Sequence, residues 1–215
     1  MNYLYKSDPN VIFSPENTNY NQALMMTKKV ILQLKKKGQL EMFQKEIQKK
    51  IDIGTLVAMN DDEVEETMKS THHFTLLGMV KSETSSSTST RLINNTKTQV
   101  PGQGTSYCLE NNMIKCNIGD SFDSLLDFRL YDNPYSSDIS KCYLRILVDD
   151  LTAKLRLLVW FDNPQDMTGI KIYRRPTMDF GDTCSSLVVR IIQEKFLSQL
   201  CKMEMSKHLI LHCAY

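Results

Sequence analysis

Asp138 leaves the end of a short strand-like run, Tyr135 to Asp138, and an aromatic, Tyr143, follows five residues later. A carboxylate held on a rigid strand end suits a divalent metal. Divalent metals so held can lower the pKa of an attacking hydroxyl and stabilise leaving oxygens in phosphoryl transfer. Taken alone, an Asp after a strand is a turn residue and a Tyr at the start of a helix is a core residue. Two cations, Lys81 and Arg91, flank a Ser/Thr-rich stretch from Ser82 to Thr90 that reads as the tip of a hairpin. Each is also a candidate for an ordinary solvated surface charge.

The rest of the chain must position these groups. Its 215 residues are 41% hydrophobic and 24% charged, enough for one large or two small domains with a core. The formal charge of +1 gives no overall pull towards nucleic acid, so any basic surface is local. Residues 1–20 are polar, with Pro9 and Pro15, and read as an extended or disordered lead-in. Asn21 to Ile53 has helical spacing, broken at Gly38 into two helices, and a possible strand follows at Leu56 to Met59. Asp61 to Glu66 reads as an acidic, exposed helical turn. Phe74 to Lys81 and Arg91 to Asn94 read as strands, and residues 96–120 as loops. Phe122 to Leu130 reads as a helix. Leu155 to Phe161 and Ile170 to Arg174 form a strand pair around Asp162-Asn163-Pro164. Ser185 to Lys202 is the best helix of the second half, and Leu209 to Tyr215 a strand.

Several other patterns carry little. The six cysteines form no CxxC pair, which fits a reduced compartment. His208 and His212, spaced i, i+4, lack the ligand density of a zinc site. The lysines of residues 28–50 could meet template phosphates, but a solvated helix face explains them as well. No apolar run approaches bilayer length, and no secretory signal opens the chain. An intracellular, cytoplasmic protein without membrane association is expected.

In order and spacing, these segments resemble the reverse transcriptase of BEL/Pao-type LTR retrotransposons, from about Asn21 to Tyr215. Phe74 to Lys81 resembles the "LPHHPVVK" strand of the fingers, and Thr90 to Asn95 resembles "LRVVFD". Leu109 to Met113 resembles "LNDLL", and Phe122 to Leu130 resembles "LFDILLRFRL". Ser137 to Tyr143 resembles "ADIEKMY", and Leu158-Val159-Trp160 resembles "ILW". Phe180 to Ser186 resembles the "FGxxxSP" turn before a palm helix. His212 to Tyr215 resembles the run into the "YxDD" box.

The resemblance implies an α+β fold: reverse-transcriptase fingers over residues 21–130, then a partial ferredoxin-like palm over 131–215. It implies that Asp138 is the catalytic carboxylate that binds Mg²⁺, and that Tyr143 packs against the sugar and disfavours a 2′-hydroxyl. Lys81 and Arg91 are implied to face the triphosphate. Phe180, Gly181 and Tyr215 are implied to line the nucleotide site, Gly181 letting the backbone approach the nucleotide closely. The implied partners are an RNA or DNA primer–template and dNTP.

The chain departs from the family at Asn94, where an aromatic is usual, at Asn95 in place of Asp, and at Ser186 in place of Pro. It also stops at Tyr215, before the box's paired aspartates. With Asp138 as the one carboxylate of the set, a two-metal site does not assemble, so an inactive fragment or relic of an RNA-directed DNA polymerase is expected. The alternative is a non-enzymatic module that binds nucleic acid or protein. Leu147-Val148-Asp149-Asp150 imitates the box, but it lies too close to Asp138 for the elements that separate the two motifs. The Asp-Thr/Ser-Gly signature of an aspartic protease is not present, because Asp182-Thr183 is followed by Cys184.

Overall fold

Helical spacing over the first quarter of the chain yields two helices, as expected. The structure, a computed structural model, describes residues 5–81, 90–99, 108–114, 129–130 and 141–202. A first one-turn helix, α1, spans Pro9–Ile12, and a 3-10 turn spans Pro15–Asn17. Helix α2 (Tyr20–Lys36) buries Ala23, Thr27, Ile31 and Leu34, and α3 (Leu40–Asp52) buries Leu40, Phe43 and Ile47. Gly38, at φ 63°, closes the first of the pair in the left-handed conformation that Gly adopts at little cost. The Gln39 N–H then reaches back to the Leu34 carbonyl at 2.9 Å.

Strand β1 (Val57–Ala58) leads into α4 (Asp61–Met68). The acidic turn is a helix start: Asn60 and Glu63 each accept the other's backbone N–H in a capping box, at 2.8 and 3.0 Å. Strands β2 (Leu76–Lys81) and β3 (Thr90–Asn95) pair antiparallel as the two arms of the expected hairpin. A short helix α5 (Leu109–Asn112) and a 3-10 turn (Tyr143–Arg145) follow among the described residues.

Asp149 in the false box accepts the Thr152 N–H at 3.0 Å and so caps α6 (Asp150–Lys154). Strands β4 (Leu158–Asn163) and β5 (Thr168–Arg174) form the expected second hairpin, starting at Leu158 rather than Leu155. The Asn163 side chain accepts the Gln165 N–H within its turn, at 3.0 Å. The last described helix, α7, spans Ser185–Lys202, the range its spacing predicts.

The fold is α+β, with a three-stranded sheet ordered β1-β5-β4 beside the two-stranded β2-β3 hairpin. Residues 158–161 of β4 are buried on both faces. One face meets Ile31, Phe43, Ile47, Leu77 and Leu92, with Phe43 and Trp160 rings 5.3 Å apart. Val159 meets Ala23, Phe74 and Ile172 instead. A third cluster gathers Phe13, Leu109, Tyr143, Leu155, Met178, Cys184 and Val188 at the base of α7.

One expectation changes here. The lead-in is folded rather than extended: Phe13 is fully buried, and the Asn19 amide both donates to the Phe74 carbonyl and accepts its N–H, each at 2.8 Å. A side chain that satisfies both backbone groups of a neighbouring segment fixes the polar stretch before it. Pairing also runs across the boundary drawn between residues 130 and 131. β1 pairs with β5, and Phe74 bridges Leu157 in parallel, so one sheet and one core take residues from both sides. The helix expected over Phe122 to Leu130 falls within the described residues only at 129 and 130. The strands expected at Tyr135 to Asp138 and Leu209 to Tyr215 lie outside them.

Candidate functional site

A dense polar construction occupies the turn from Met178 to Ser185, which enters α7. Two buried carboxylates flank Phe180-Gly181 in it. Asp179 takes both carboxylate oxygens to the Lys50 ammonium of α3, at 2.9 and 2.8 Å. Asp182 gives one oxygen to the Arg156 guanidinium at 2.6 Å and the other to the Asn94 amide of β3 at 2.5 Å. The Arg156 and Asp182 side chains have no solvent exposure, and Arg156 also donates to the Thr152, Arg175 and Thr177 carbonyls. Charges this deep persist only when paired and hydrogen-bonded, so the turn is held from three elements at once.

Backbone contact completes the joint. The Asn94 N–H donates to the Phe180 carbonyl at 2.7 Å, continuing the edge of β3 into the turn. Gly181 sits at φ 98°, and a Cβ there would lie 2.2 Å from the Asn94 carbonyl oxygen. The close approach that this glycine permits in the fold is to the β3 backbone.

Above the turn, the Phe180 ring meets the Tyr143 ring edge-on, with centroids 4.9 Å apart at 77°. Tyr143 is 9% exposed and Phe180 37%, so one ring is seated in the core cluster and its partner opens to solvent. The fold thus brings together Tyr143, Phe180 and Gly181. Arg91 is exposed on β3. In register it faces Val80, whereas Lys81 faces Thr90. Neighbouring positions of a pleated ribbon alternate in face, so the pairing by itself does not bring positions 81 and 91 to one side. Asp138 and Tyr215 lie outside the described residues.

Among the described residues, no group of three or more His, Cys, Asp or Glu could hold a metal ion. Asp179 and Asp182 are neighbours in sequence, but Lys50 and Arg156 already balance their charges. A groove of about 220 Å³ lies elsewhere, between the α2–α3 turn and β2, lined by Leu34, Lys37, Phe43 and Met79 among others. Arg91, Tyr143, Phe180 and Gly181 lie outside its lining. Among the described residues, no helix is long and apolar enough to cross a membrane. Cys108 is a buried free thiol.

No protein-family model, curated protein or solved structure matches this chain.

Sequence reasoning missed Lys50, Asn94, Arg156 and Asp179 as parts of the site, and read Asp182 as a spacer position of the palm turn and part of a failed protease signature. One signal was present. Arg156 stands inside Leu155-Arg156-Leu157-Leu158-Val159, and a cation within an apolar run that must be buried requires a buried acid. Which acid it meets is not written locally, because Asp182 is 26 residues away.

Two buried histidines carry a separate, pH-dependent load. The His72 ring lies 2.8 Å from both the Ser70 carbonyl and the Thr18 hydroxyl, and the His73 Nε2 lies 3.1 Å from the Thr98 carbonyl. Burial pushes the His73 imidazole down to about 3 and pushes His72 in the same direction. A neutral imidazole in the fold that charges in the unfolded chain stabilises fully above the unfolded value of 6.5. That contribution is lost progressively as pH falls from there towards 3. His73 is expected to remove about 2 kcal/mol of stability between roughly pH 7 and pH 5. Urea unfolding at the two pH values measures it, and His73→Gln should flatten most of the difference. An equal loss in the variant would assign the effect to other groups.

Proposed function

We propose that this chain forms the fingers and the first part of the palm of a retroelement RNA-directed DNA polymerase, where it binds primer–template and nucleotide. The observation that carries the reading is the Tyr143–Phe180 contact beside Gly181. Two separate segments that the resemblance assigns to one nucleotide pocket, Tyr143 and Phe180-Gly181, are neighbours in space. The bond from Asn94 to Phe180 adds support, since it attaches the β2–β3 hairpin to that pocket wall. In this reading the half-open Phe180 edge and the Tyr143 ring bound the sugar, and exposed Arg91 meets phosphate. Mg²⁺ belongs to the proposal through Asp138, and it would supply charge neutralisation at the transferring phosphate.

Fluorescence anisotropy with a labelled primer–template, with and without dNTP, tests the proposal across a salt series. Binding that weakens with salt and tightens with the matched dNTP is expected. Arg91→Ala is expected to weaken the dNTP effect about tenfold, as loss of a charge-assisted phosphate contact does. Salt-dependent binding that ignores dNTP would favour the non-enzymatic binding module. No binding at low salt would overturn both.

A further inference from the structure

We infer that Asn94 is a positioning residue, which couples the β2–β3 hairpin to the Tyr143–Phe180 pair and so sets how the pair discriminates sugars. The inference rests on the proposed nucleotide site, although the joint itself stands on geometry alone. Asn94 makes two connections to the turn. Its backbone N–H holds the Phe180 carbonyl at 2.7 Å, and its side-chain amide holds Asp182 at 2.5 Å. Between those two anchors lies Gly181, pressed against the Asn94 carbonyl. Phe180 is therefore clamped on either side to one strand residue, and Asp182 is fixed from behind by Arg156.

The clamp belongs to the part of the hairpin that reaches Arg91. Asn94 follows Arg91 by three residues on the same strand, within a continuous ladder from Leu76↔Asn95 to Lys81↔Thr90. A shift of β3, as when a triphosphate draws on Arg91, is transmitted through Asn94 to Phe180, and by ring contact to Tyr143. Paired residues in one hydrogen-bond network couple in this way, whereas distant independent ones do not. Asn94 is suited to the role because nothing else in its side chain competes. Among the described residues its buried Oδ1 has no hydrogen-bond partner, so the amide end is the one engaged. Asn94 also stands where the resembled family carries an aromatic, so the clamp is a property of this chain.

Asn94→Ala is the test, since it removes the amide and an unpartnered oxygen but keeps the backbone bond and the Arg156–Asp182 pair. Equilibrium binding of a matched dNTP and its ribonucleotide to the primer–template complex is compared for wild type and variant. The dNTP preference is expected to fall at least about threefold in the variant, the scale of coupling between contacting residues. An unchanged preference, with wild type binding nucleotide, overturns the inference. If wild type binds no nucleotide, the proposed function fails, and hydrogen exchange decides the joint separately. Amides of residues 178–186 should then exchange at least about threefold faster in Asn94→Ala, with β4 and β5 unaffected. Equal protection in the two proteins overturns the joint.

Discussion

Replacing Asp182 with alanine is expected to cost about 3–5 kcal/mol of folding stability, the range seen when one partner of a buried ion pair is removed. Arg156 keeps three carbonyl acceptors in that variant, from Thr152, Arg175 and Thr177, but loses its bidentate-capable counter-charge. With both side chains wholly inaccessible, water cannot replace the carboxylate without opening the base of α7. The Asn94 amide loses its acceptor in the same step. The pair itself need not be strongly favourable. Desolvating two ions offsets much of their attraction, so Arg156→Met combined with Asp182→Leu should be less destabilised than Asp182→Ala alone. Urea unfolding followed by the single tryptophan, Trp160, buried against Phe43, reads both variants. A cost below about 1 kcal/mol for Asp182→Ala would mean that Arg156 does not depend on this acid.

Gly181→Ala is expected to be as damaging, at about 3 kcal/mol or more, for two reasons that add. At φ 98° an L side chain is strained whatever its surroundings, and here its Cβ would overlap the Asn94 carbonyl oxygen at 2.2 Å. The neighbour is backbone within a paired strand, so relief requires moving β3 or breaking the Asn94–Phe180 bond. Gly54→Ala separates the two causes. Gly54 has φ 75° but nothing within 4 Å of the added Cβ, so only conformational strain of about 1 kcal/mol applies. Thermal melting of both variants should rank Gly181→Ala far below Gly54→Ala. Equal melting temperatures would show that the turn yields freely, and that the Phe180 anchor is not rigid.

The elements that sequence made legible are those whose signals are local. The break at Gly38 follows from a left-handed C-cap, which glycine meets without a Cβ clash. The β4–β5 hairpin follows from alternation on either side of an Asn-Pro turn, and α7 from helical spacing. The acidic run Asp61 to Glu66 shows as helical, and the Asn60–Glu63 capping box that starts it is itself local, spanning four residues. The lead-in shows where composition misleads. Its prolines and asparagines read as extended chain, yet Phe13 and Asn19 dock into segments beyond residue 70 that local pattern cannot see.

The site divides along the same line. The sequence by itself determined the α+β content, the two hairpins, and a glycine turn opening α7, because each depends on residues within a few positions. It also singled out Tyr143, Phe180 and Gly181. Only the tertiary structure decided that the Tyr143 and Phe180 rings touch, that Gly181 is required by Asn94, and that Asp179 and Asp182 answer Lys50 and Arg156. Those pairings link residues 26 to 129 positions apart. They exist because burial forbids an unpaired charge, a condition that acts once the chain has folded and leaves no periodic trace in its sequence.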